Sequence, residues 1–163
     1  MNKQLIENIQ KVKIYLNEKP ERIMIGWVHD GIFDPDSTEE NLYGYIEFLK
    51  VCDGASFGDI CLFQLKDVIK YQFYVEILPG GRENWFAIGH VLDEPLILNK
   101  YSGEVFRAYR DDYDHQPYEH FGQLDDFLLQ YAFGKKYMEI VPADEDDEWI
   151  KLLLDLAIIN SWK

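Results

Sequence analysis

Basic residues are scarce in this chain. Sixteen Lys and Arg stand against 30 Asp and Glu in 163 residues, a formal net charge of −14. That balance disfavours nucleic acid and anionic membrane surfaces as partners, because each would repel it. A basic protein is the partner that such a charge would attract, although solubility alone would also account for the acidity. Cysteine is nearly absent. Cys52 and Cys61 are too few for a disulfide scaffold. Both stand among apolar residues, as small buried hydrophobes do in a reducing compartment. Long apolar runs are missing as well. The longest, Trp149 to Ile159, is broken by Lys151 and Asp155 and is too short to span a bilayer. The opening MNKQLIENIQKVK has no continuous apolar core of the signal-peptide kind. These absences together predict a cytoplasmic protein with no membrane partner. No repeat, low-complexity tract or long linker divides the chain.

What the sequence does contain is apolar and aromatic mass. Apolar residues make up 47% and aromatics 15%, enough for one domain, residues 1–163, with a real core. Leu5, Ile9, Val12 and Leu16 recur at helical spacing, and Pro20 marks the exit. Ile23–Val28 reads as a short strand or packed turn, followed by breaks at Asp30-Gly31 and Asp34-Pro35-Asp36. Ser37 with Glu40 forms a capping-box pattern ahead of a helix whose stripe is Leu42, Ile46 and Leu49, widened by Tyr45 and Phe48. Gly54 can take the left-handed conformation that ends it. Phe57–Phe63 then reads as one buried strand, and Leu65–Tyr71 as a short helix or turn. After the loop at Pro79-Gly80-Gly81, three strands are predicted: Trp85–Gly89, Pro95–Asn99 and Glu104–Arg110. The last two are joined by a hairpin at Lys100–Gly103. Val105, Arg107 and Tyr109 share one face of the third strand, and its charged residues predict a wet side. Residues 110–120 read as irregular. Leu124, Phe127, Leu128 and Tyr131 mark another helix that stops at Gly134. Asp144 or Asp146 is expected to cap a final helix, with carboxylates at 144–148 placed favourably for its dipole. Consecutive strands with short connections between flanking helices predict the α+β class, with a mostly antiparallel sheet.

No reactive constellation stands out. His115 and His120 lie among Asp111, Asp112, Asp114 and Glu119, but Pro117 separates them and no helix can present both on one face. A solvated acidic loop is the better reading than a metal site. Cys52 and Cys61 occupy apolar positions without a neighbouring His. The GASFG segment lacks the Lys and spacing of a phosphate-binding loop. No cofactor or metal is expected, and an enzyme is not. A small hydrolase would require a deep pocket lined by polar groups with shifted titration. Two features fit binding instead. From Tyr109 to Phe121, aromatic residues alternate with carboxylates, a pattern in which rings supply contact and charge supplies steering. Asp111, Asp112, Tyr113, Asp114, Tyr118 and Glu119 are the candidate partner contacts; the plain alternative is a loop that folds its rings onto its own core. The final helix is apolar nearly all round, through Trp149, Ile150, Leu152, Leu153, Leu154, Leu156, Ile158 and Ile159. It is therefore either buried on two sides within the monomer or the contact of a homodimer.

The stretch YIEFLKVCDGASFGDICLF, from Tyr45 to Phe63, resembles the SUKH superfamily. That group includes the yeast cell-wall-synthesis regulator and many bacterial toxin-immunity proteins. The matching features are a helix ending in Asp53-Gly54 and the apolar strand Ile60–Phe63. Trp85-Phe86-Ala87-Ile88-Gly89, Gly103-Glu104-Val105-Phe106 and the helix near Leu124–Leu129 extend the match. The resemblance covers roughly residues 37–133. It departs from the pattern at Asp53, where Asn is usual, and over residues 64–82. It implies an immunity protein (antitoxin) that neutralises a cognate basic toxin, such as a nuclease or deaminase, by covering its active site. A regulatory scaffold that binds another cellular protein is the alternative implied by the same fold.

Overall fold

Leu5, Ile9, Val12 and Leu16 form the buried stripe of α1 (Lys3–Glu18). Asn2 caps this helix: its side-chain oxygen accepts from the Gln4 amide at 2.8 Å and satisfies one orphan donor of the first turn. The computed structural model describes residues 1–22, 24–35, 42–109 and 119–161. Seven strands follow one another in chain order and in space. They are β1 (Gly26–Val28), β2 (Ala55–Phe57), β3 (Ile60–Leu62), β4 (Trp85–Val91), β5 (Glu94–Asn99), β6 (Glu104–Arg107) and β7 (Glu119–Gln123). Every neighbouring pair is antiparallel. The class is α+β, as the order of apolar runs predicts.

The helices are α2 (Tyr43–Val51), α3 (Leu65–Val68), α4 (Phe73–Glu76), α5 (Gly81–Asn84), α6 (Leu124–Phe127), α7 (Tyr137–Ile140) and α8 (Glu148–Asp155). A 3₁₀ turn, Ile69–Tyr71, joins α3 to α4, and α6 continues with wider, π-type turns over Leu128–Ala132. Among the described residues, no helix is long and apolar enough to cross a membrane. The buried apolar residues make one continuous cluster. Tyr45 on α2 is only 1% exposed, and its hydroxyl donates to the Phe63 carbonyl at 2.7 Å, tying helix to sheet. In α8, Trp149, Ile150, Leu152 and Leu153 are buried within the monomer. The Trp149 indole N–H donates to the Ala132 carbonyl at 2.8 Å, and its ring lies 5.9 Å from that of Phe57.

Five local expectations need correction. Phe57–Phe63 is not one strand but a hairpin, in which Phe57 pairs with Ile60. Gly58 supplies the positive φ of +60° that the first position of a two-residue hairpin turn demands. The turn is packed closely: a Cβ on Gly58 would stand 2.3 Å from the Tyr137 hydroxyl. Gly54 does adopt a left-handed φ of +80°, but α2 has already ended at Val51, so the glycine turns the chain into β2. Glu119 and His120 are not irregular; they open β7, which pairs with β6. As an edge strand it has one free side, and polar residues are tolerated there. The cap of α8 is Asp147, which accepts from the amides of Trp149 and Ile150 at 2.9 and 3.1 Å; Asp144 instead accepts from the Asp146 amide in the preceding turn. Finally, the face of β6 that carries Arg107 is buried, not wet. Ser37 and Glu40, the expected capping box, lie outside the described residues.

Candidate partner-binding site

The acidic aromatic segment joins β6 to β7, so those strands fix where it leaves and re-enters the fold. Arg107 ends β6 and Glu119 begins β7, and the two are register partners. The Ala108 amide still reaches the Pro95 carbonyl at 3.0 Å, which carries the sheet one residue past β6. Arg107 is 8% exposed. A guanidinium taken out of water needs a partner at almost every donor. Nη1 donates to the Ile140 carbonyl at 3.0 Å. Nη2 donates to the Glu119 carboxylate and, at 3.3 Å, to the Tyr109 hydroxyl. That hydroxyl in turn donates to Glu119 at 3.3 Å. The guanidinium carbon also lies 5.3 Å from the centre of the Tyr109 ring, within cation–π range. Nε has no hydrogen-bond partner among the described residues.

Glu119, read from sequence as a partner contact, thus has an intramolecular role: it neutralises Arg107 and closes the base of the connection. Its side chain remains 35% exposed. Asp111, Asp112, Tyr113, Asp114 and Tyr118 lie outside the described residues. Beside the base, His120 stacks on Phe106 with ring centres 4.7 Å apart. Its Nε2 lies 3.3 Å from a Glu104 oxygen.

Sequence reasoning missed a second acidic feature at the opposite end of β6 and β7. A groove of about 360 Å³ lies there, with Tyr43, Glu47, Tyr101, Gln123 and Asp125 among its lining. Tyr43 and Tyr101 are both strongly exposed. The i, i+4 spacing of Tyr43 and Glu47 on the polar side of α2 was the available signal. The Lys50 ammonium, hydrogen-bonded to Glu47, holds that carboxyl below its ordinary range. A general acid at neutral pH requires the reverse shift.

The two thiols are equally unsuited to attack. Burial pushes Cys61 up to about 11 and Cys52 higher still, so neither is a thiolate near pH 7. Chemically, the surface around β6 and β7 offers carboxylates and aromatic rings, which suit recognition of a cationic protein surface. No family model matches the chain, and no curated protein matches it.

Proposed function

We propose that this chain is a non-enzymatic immunity protein of SUKH type, resident in the cytoplasm, that binds a basic toxin and covers its active site. The observation that best supports the reading is the built base of the acidic segment. Both ends of residues 108–119 are held by β6–β7 pairing and by the Arg107–Tyr109–Glu119 cluster. Carboxylates and rings mounted on a fixed base lose less freedom on docking than a free tail would. The formal charge of −14 supplies long-range attraction to a cationic surface. Two free thiols, Cys52 buried and Cys61 half-buried, fit a reducing compartment.

Coexpression with any toxin encoded beside this gene tests the reading, with cell survival and copurification as readouts. The expected result is protection by the wild type. Asp111→Lys, Asp112→Lys and Asp114→Lys combined should lose both protection and binding. Full protection by the triple variant would remove these residues from the interface. Lack of any binding to a neighbouring toxin would remove the immunity assignment.

A further inference from the structure

We propose that the outer edge of β1 is a strand-addition site, taking an extended, basic segment of a partner protein as an eighth strand. The site lies at the opposite sheet edge from the β6–β7 connection and stands independently of the immunity reading. It follows from the register. β1 is the first strand in the sheet order and, among the described residues, pairs only with β2, through Gly26↔Phe57, Trp27↔Ser56 and Val28↔Ala55. The Gly58 amide donates to the Ile25 carbonyl at 3.1 Å, and the His29 amide to the Gly54 carbonyl at 3.3 Å. Hydrogen-bonded pairs alternate along an antiparallel ladder, so Ile25, Trp27 and His29 direct their backbone groups toward β2. The N–H and C=O groups of Gly26 and Val28 therefore point away from the sheet.

Those groups do not stand in open solvent, since Gly26 is buried and Val28 half-buried. About 290 Å³ of space lies between β1 and the end of α1, lined by Leu16, Asn17 and Pro20 and by Gly26–His29. The lining combines an apolar wall with a row of backbone donors and acceptors, those of Gly26 and Val28, that have no partner among the described residues. An extended peptide satisfies such a row; a helix or a rigid small molecule does not. Charge selects the kind of peptide. Glu18 and Glu21, both exposed, flank the α1 wall. Of the nearby cations, Lys13 pairs with Asp30 and Arg22 with Glu148, and Lys19 lies over the Tyr15 ring 4.3 Å from its centre. With the whole chain at −14, a second copy is repelled and a cationic strand is drawn in. Three-residue strands are one way proteins blunt an edge against indiscriminate pairing; here the groove restricts access further.

Amide exchange with a capped peptide of alternating Lys and Val as the probe tests the proposal. A capped peptide of alternating Lys and Pro, equal in charge but unable to donate ladder hydrogen bonds, serves as the control. In the free protein the Gly26 and Val28 amides should exchange faster than those of Trp27 and His29. The Lys–Val peptide should slow Gly26 and Val28 by about tenfold or more, and the control should not. Val28→Pro deletes only an outward N–H, so the β1–β2 ladder survives while peptide affinity falls by about tenfold, the worth of one backbone hydrogen bond. Equal protection by the Lys–Pro peptide would reduce the effect to charge and overturn strand addition. Protection that rises with protein concentration alone would assign the edge to a second copy, and unchanged exchange at saturating peptide would leave it without this partner class. The last three results can be read on the wild type, whatever the variant's stability.

Discussion

Replacing Glu119 by Gln keeps the shape of the side chain and an oxygen that can accept from Arg107, but removes the charge. Arg107 would remain 8% exposed with the Ile140 carbonyl and the Tyr109 hydroxyl as its neutral acceptors. Breaking a fully buried ion pair costs about 3–5 kcal/mol, because the remaining charge is uncompensated. Glu119 is 35% exposed, so water already screens part of the interaction, and about 2 kcal/mol is the reasoned loss. For a chain of this size that lowers Tm by about 4–8 °C. The diagnostic step is the second substitution. Arg107→Met removes the stranded cation and fills its volume with apolar atoms, at the cost of leaving the Ile140 carbonyl without its donor. The double variant should therefore be more stable than Glu119→Gln alone, by about 1 kcal/mol, and should cost less than the sum of the two single substitutions, a coupling that a urea double-mutant cycle at neutral pH resolves. Loss of less than about 0.5 kcal/mol in Glu119→Gln, or strict additivity in the cycle, would refute the claim that this pair closes the base of the acidic connection.

Tyr45→Phe should lose about 1–2 kcal/mol in urea denaturation, since it leaves the Phe63 carbonyl without its donor; an unchanged midpoint would show that the bond contributes nothing. Gly58→Ala should cost about 3 kcal/mol, from a left-handed φ and from contacts with Tyr137 and Trp149, and a Tm within 2 °C of wild type would contradict that packing. The Cys61 thiol, raised by burial from 9.0 to about 11, makes stability depend on alkaline pH. The unfolded chain loses this proton first, so the contribution is complete below pH 9 and is lost as pH rises to about 11. Cys61→Ala should flatten the fall in that window by about 2 kcal/mol relative to wild type, and parallel wild-type and variant curves would exclude the assignment.

Regular, local signals were readable before the structure. The α1 stripe, the Trp85–Gly89 and Pro95–Asn99 strands and the Lys100–Gly103 hairpin each depend on a few adjacent residues, and each is found where periodicity places it. The β2–β3 hairpin was hidden because both its arms bury apolar residues on the same face, so the run looked like a single strand interrupted by Gly58-Asp59. β7 was hidden for the opposite reason: only Phe121 of its five residues is buried, and its pairing with β6 does not follow from its own composition. The α8 cap could not be picked from the carboxylates at 144, 146 and 147, because the choice depends on where the chain turns. Of the six candidate contact residues, only Glu119 lies within the described residues, and its ion pair with Arg107 was unreadable in a segment where it is one carboxylate among several.

The sequence alone determined the charge balance, the α+β class and the position of the acidic aromatic segment after the third predicted strand, because these follow from composition and short-range periodicity. Tertiary structure decided which charges are structural and which edges remain open. Arg107 looked solvent-facing until folding brought it to Glu119 and to the Ile140 carbonyl, 12 and 33 residues away. Gly26 and Val28 became outward-facing donors and acceptors only when β1 took its register on β2. Desolvation and hydrogen-bond partnership are properties of neighbours in space, and no local pattern in the chain specifies them.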